Sequence, residues 1–134
     1  MPYSVHVRPS DRVAVLRLFG TVEGEEIIPA CMALLHHPDW ERGLPTLWDL
    51  RDIETFLFVP EDLAAFETRA AEIAALRGDG RTAFVTSDSW VQINAHLLGI
   101  KTKGDTGREF RVFARLERAE AWLAEVTSGH VPVS

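Results

Sequence analysis

YSVHVRPSDRVAVLRLFG, residues 3–20, is the stretch on which the reading of the fold turns. Tyr3, Val5 and Val7 alternate with Ser4, His6 and Arg8, and this two-residue period predicts a strand with one buried face. Residues 12–19 set Val13, Val15, Arg17 and Phe19 against Ala14, Leu16 and Leu18, so apolar residues occupy both faces for most of the run. A strand of that kind is covered on both sides, which points to a central position in a sheet flanked by helices. Pro9, Ser10 and Asp11 between the two runs supply turn chemistry and predict an opening antiparallel hairpin.

Outward from this hairpin the pattern changes to helical units alternating with short apolar runs. Gly20 is expected to end the second strand, with Thr21 as the N-cap of a helix whose first turn carries Glu23, Glu25 and Glu26. Ile27, Ile28, Cys31, Leu34 and Leu35 form its buried stripe, which places Cys31 in the core. Pro29 inside that pattern requires either a late start to the regular helix or a kink. Pro38 stops it, and residues 44–50 read as the third strand. Pro60, Glu61 and Asp62 then open a long helix through Leu76, with Leu63, Phe66, Ala70 and Ile73 inward and Gly78 and Gly80 at its close.

Residues 81–86 read as a further buried strand, after which Ser87 and Asp88 cap a helix over residues 89–100. Gly104 and Gly107 mark a loop able to hinge a lid, residues 110–114 a last strand, and residues 116–126 a closing helix. Ala119, Trp122, Leu123 and Val126 face inward on that helix, and the tail over 127–134 is expected to be loose. The order ββαβαβαβα predicts one α/β domain over residues 1–134. Its sheet is mostly parallel, of about five strands, with helices packed on it.

Composition sets the outer bounds. With 134 residues, 46% of them hydrophobic, the chain can bury a core without staples or metals. One cysteine in the whole sequence makes no internal disulfide and suits a reducing compartment, so the expected location is the cytoplasm. Residues 1–12 hold Arg8, Asp11 and Arg12 and lack the apolar core of a secretory signal. The longest uncharged runs fall short of the roughly 18 residues that a spanning helix needs. A net charge of −6 disfavours nucleic acid as a partner, the stretch 101–111 with its four basic residues notwithstanding.

Three landmarks carry a family resemblance: Leu18-Phe19-Gly20-Thr21-Val22 leading into Glu25 and Glu26, Leu47-Trp48-Asp49-Leu50-Arg51, and Val112-Phe113 with Ala121-Trp122-Leu123. Their order and spacing resemble the SpoIIAA-like family, a relative of the STAS domains of anti-sigma-factor antagonists and sulfate transporters. The resemblance implies the α/β fold above. It also implies a phosphorylatable serine just after the third strand, at the start of the following helix. Residues 53–62 contain no serine, and Thr55 is their only hydroxyl, so the phospho-switch is not carried over to this chain.

The remaining polar residues suggest no single chemistry. In an open parallel sheet ligands bind beyond the carboxyl ends of the strands, which selects Thr21, then Asp49 with Arg51 and Asp52, then Ser87 with Asp88. Asp49, Asp52 and Asp88 have no metal-ligand spacing, and Asp49 and Asp88 have a local explanation as a loop acceptor and a helix cap. His36 and His37 diverge on their helix, and His96 has no nucleophile beside it. An enzyme using Asp49, Asp88 and His96 is the weakest reading; no catalytic residue, cofactor or metal is assigned. The strongest feature is apolar excess: Trp90, Val91, Ile93, Leu97, Leu98 and Ile100 cover more than one stripe of the 89–100 helix, which also bears Asn94 and His96, and join Phe56, Leu57, Phe58 and Val59. The expected function is a non-enzymatic binding or regulatory module, a homodimer or a partner of another protein. A carrier of a small apolar or lipid-like ligand stands as the alternative.

Overall fold

The computed structural model describes residues 2–103 and 109–127. The hinge expected at Gly104 and Gly107, the centre of the basic stretch and the tail beyond Thr127 lie outside the described residues. The elements follow in the order β1 (Tyr3–Arg8), β2 (Val13–Glu23), a 3-10 turn (Gly24–Glu26), α1 (Ile27–Leu35), β3 (Thr46–Leu57), α2 (Pro60–Arg77), β4 (Thr82–Val85), α3 (Ser89–Lys103), β5 (Phe110–Phe113) and α4 (Leu116–Thr127). The strands lie side by side in chain order, β1-β2-β3-β4-β5. β1 pairs antiparallel with β2, and every later pair is parallel. The chain is therefore the single α/β domain with a five-strand, mostly parallel sheet that the element pattern predicts. β2 is interior, as its two apolar faces require, but the central strand is β3.

Alternation along the strands divides the core in two. On one face Leu16, Leu18 and Val22 of β2, Trp48 and Leu50 of β3 and Phe84 of β4 pack under all three of the helices α1, α2 and α3. These contribute Ile27, Cys31 and Leu34, then Phe66 and Ile73, then Val91, Ala95 and Leu98. On the other face Val13, Val15, Leu47, Ala83 and Val85 meet Ala119, Trp122 and Leu123 of α4 alone. Arg81 fastens that last helix: its guanidinium lies 4.5 Å over the Trp122 ring and donates to the Trp122 carbonyl at 3.0 Å. A helix seated by one aromatic anchor thus gains a cation–π contact and a hydrogen bond.

Three expected boundaries move, each for a local reason. β2 does not end at Gly20. That residue takes φ +71°, the register against β3 shifts there, and the strand runs on to Glu23 with Thr21 opposite Thr55. Gly20 thus makes an irregularity within the strand instead of terminating it, and Thr21 caps nothing. β3 likewise runs on to Leu57, because Arg51, Asp52, Glu54 and Thr55 are exposed while Ile53 and Phe56 still pack on the core. Phe56 therefore lies in a strand, not in a loop. Pro29 is the third residue of α1, in the first turn, where its missing N–H has no intrahelical partner to lose. The late start is the alternative that holds.

Among the described residues no helix is long and apolar enough to cross a membrane.

Candidate functional site

α2 begins where β3 releases the chain. The backbone N–H of Val59 donates to the Asp62 carboxylate at 2.9 Å, and Pro60 occupies the first helical position. α3 begins after β4 with the bond in the reverse sense: the Val91 N–H, inside the first turn, donates at 3.0 Å to the carboxylate of Asp88 just before the helix. Both starts lie beyond the carboxyl ends of the strands, and between them opens a groove of about 230 Å³. Its walls are Phe58, Val59, Pro60 and Leu63 on one side and Trp90, Ile93, Asn94 and Leu97 on the other.

The groove is apolar and held open from within. Trp90 is half exposed, and its indole N–H donates to the Phe56 carbonyl at 3.0 Å, which fixes the ring as a wall. Asn94 is buried and turns its amide to the Trp90 carbonyl at 2.9 Å. Phe58 is core, stacked on Phe56 with ring centroids 5.2 Å apart. The exposed apolar surface is carried by Leu57, Val59, Trp90, Ile93, Leu97 and Ile100, with Leu57 on the acidic side of Val59. α3 is therefore apolar on two sides: Val91, Ala95 and Leu98 face the sheet, while Trp90, Ile93, Leu97 and Ile100 face out.

Of the residues singled out from the sequence, the groove gathers Phe58, Val59, Trp90, Asn94 and Leu97. Phe56 instead faces inward, onto a cavity of about 10 Å³ lined by Leu18, Trp48, Leu50, Val91 and other core residues. A volume of that size holds about one water molecule. His96 is exposed on another side of α3, edge-on to Phe110 at 6.0 Å. Ile93, part of the apolar excess of the same helix and three residues after Trp90, completes one wall. Pro60 and Leu63, which the sequence assigns only to the start and inward stripe of α2, complete the other.

At the end of the groove nearest Val59 lies an acidic mouth of about 250 Å³, formed by Glu23, Gly24, Glu25, Leu57, Val59 and Asp62. A hydrogen bond shared with Glu25, then the charges of Glu25, Glu26 and Asp62, hold the Glu23 carboxyl above its ordinary value. Gly24 packs directly on the Asp62 side chain, so a Cβ there would push the carboxylate away from the Val59 N–H that it accepts from.

The strand-end polar residues are engaged with one another. Asp49 accepts from the Arg51 backbone N–H at 3.2 Å and pairs with its guanidinium at 2.9 Å. That hydrogen bond to Arg51, reinforced by the nearby charge of Arg17, holds the Asp49 carboxyl below its usual range in spite of partial burial. Asp52 pairs with Arg17 at 2.7 Å, and Arg17 lies 4.7 Å over the Phe19 ring. Ser87 is exposed, Asp88 caps α3, and Thr21 sits exposed on β2. Among the described residues no group of three or more His, Cys, Asp or Glu is placed to hold a metal ion. The first turn of α2, Pro60, Glu61 and Asp62, has no hydroxyl, and Thr55 is in β3.

No family model matches the sequence, and no curated protein matches it either. Solved structures do. An uncharacterised DUF3478-family protein from Shewanella loihica PV-4, described as having a SpoIIAA-like fold, superposes with a TM-score of 0.54 at 14% identity, covering 90% of this chain and 91% of the other. The Bacillus cell-fate determinant SpoIIAA, in its phosphorylated form, superposes with a TM-score of 0.51 at 16% identity, covering 90% of this chain and 98% of the other. With the strand order, the single antiparallel edge and the near-complete coverage in both directions, this chain has the SpoIIAA-like, STAS-related fold.

Proposed function

We propose that this chain is a non-enzymatic regulatory module of the cytoplasm that works by protein contact, as a homodimer, through the groove between α2 and α3. The observation that carries the reading is the continuous apolar surface of Val59, Trp90, Ile93, Leu97 and Ile100, each more than a third exposed. Scattered apolar residues are ordinary on a surface, whereas a contiguous patch beside a groove marks a contact site. The strand-end carboxylates support the same reading, because Asp49, Asp52 and Asp88 are occupied by Arg51, Arg17 and the α3 backbone.

The alternative occupant is a small apolar ligand, and one measurement separates the two. Native mass spectrometry of the gently purified chain is expected to show a species of twice the 15.0 kDa chain mass without added small molecule. Val59→Asp, at a residue about half exposed, is expected to leave a folded monomer. A monomer carrying extra mass that Val59→Asp removes would replace this reading with the carrier. A bare monomer in both forms would count against either.

A further inference from the structure

The exposed stripe of α3 has a spacing of its own. Trp90, Ile93, Leu97 and Ile100 follow one another at intervals of three, four and three, the repeat of two helices packed along a shared seam. That spacing reads the same in both directions. If a second α3 is laid antiparallel against the first, Trp90 of one copy falls opposite Ile100 of the other, and Ile93 opposite Leu97. A two-fold pair needs a surface that complements itself under this reversal, and the stripe has that property.

Charge selects the same orientation. The Trp90 end of α3 adjoins Val59 and so the acidic mouth of Glu23, Glu25 and Asp62. The helix has no acidic residue, and its last turn has Lys101 and Lys103 in the sequence. Antiparallel pairing brings the basic end of each helix to the acidic mouth of the other copy. Parallel pairing would bring the two acidic mouths together. We infer that the groove's occupant is a second copy of this chain, docked through an antiparallel α3–α3 seam centred on Ile93 and Leu97. This inference rests on the reading of the groove as a protein-contact surface.

Orientation can be tested apart from association. Trp90→Cys and Ile100→Cys are made as separate variants; the native Cys31 is buried. Mixed and mildly oxidised, the two variants are expected to yield a disulfide-linked dimer joining one to the other. Neither should cross-link alone, since like positions in an antiparallel pair lie about 15 Å apart along the axis, while a disulfide needs Cβ atoms within about 4.5 Å. Ile93→Asp, at a residue more than half exposed, is expected to remain folded by circular dichroism and to raise the dimer dissociation constant by about 30-fold or more.

Cross-linking of each single variant with itself would overturn the antiparallel seam while leaving a dimer through this face. A dimer that survives Ile93→Asp and gives no mixed disulfide would overturn α3 as the contact and the groove reading with it. A wild-type chain monomeric by sedimentation at about 100 μM, roughly a hundred times a micromolar dissociation constant, would overturn the second copy as occupant. The Val59→Asp mass comparison then decides separately whether the groove serves any other molecule.

Discussion

Asp49 and Arg51 are two residues apart on one strand, and their pairing sets a local acid dependence. The folded-state carboxyl of Asp49 lies below its ordinary value, chiefly because Arg51 donates to it. A depressed carboxylate contributes stability above its unfolded pKa of about 3.9 and loses it as pH falls through the folded value. Arg51 is nearly half exposed, so solvent screening limits the contribution to about 1 kcal/mol. Asp49→Asn is therefore expected to lower unfolding free energy by about that amount at pH 7, with the difference shrinking only as pH falls below about 3.9 and vanishing once it is below the depressed folded value; urea titrations at neutral and at strongly acidic pH check it. Asp49, expected to accept from a loop, instead pairs with Arg51 on its own strand, mainly through the guanidinium; the Asp88 cap was legible in the sequence because it acts on backbone three residues away. Arg77 was not. At the end of a long helix an arginine reads as a surface cation, yet this one is 4% exposed and donates to the Thr82 hydroxyl on β4. Only the arrival of a strand under the helix end reveals that contact, and the sequence has no local mark of it.

Elements were legible where punctuation and period agreed. Pro60 with its two following acids marked the start of α2 to the residue, and Gly78, at φ +76°, marked its end. They were misread where one signal stood for two structures. Gly20 looks the same in sequence whether it stops a strand or makes an irregularity within one, and pairing with β3 decides between them. The third strand was expected to stop at residue 50 because the charges of Arg51 and Asp52 follow, although on a strand those charges simply face out. Gly99 shows how closely elements meet: a Cβ there would lie 2.4 Å from the Phe110 ring of β5. In Gly99→Ala the higher helix propensity contributes about 1 kcal/mol, against about 1–3 kcal/mol for overpacking. The overlap falls on several ring atoms at once, so the second effect is expected to win, with a net loss of about 1 kcal/mol visible as a lower urea midpoint. An unchanged or raised midpoint would show that the Phe110 ring yields freely.

For the molecule as a whole, the candidate site is a product of where two helices start, and this is why it was only half legible. Apolar excess on α3 and after β3 could be counted in the sequence, but the sequence does not say which of those residues the sheet will claim. The structure gives Phe56 and Phe58 to the core and leaves Val59, Trp90, Ile93 and Leu97 outside. Helix phase does the sorting on α3, since residues 91, 95 and 98 lie on the sheet side and 90, 93, 97 and 100 do not.

The unequal cover of the two sheet faces also bears on how the chain can be made. Each strand pairs with the strand just before it, so a nascent polypeptide leaving the ribosome can add them one at a time without parting any pair already formed. The apolar side chains of Val13, Val15, Leu47, Ala83 and Val85, however, wait for α4, which emerges after all five strands. Synthesis halted before Leu116 is thus expected to release an aggregating product, and a chaperone that shields nascent chains should hold this one until α4 is free. Stalled chains of graded length, assayed for protease resistance, should become resistant in one step only after α4 has cleared the exit tunnel.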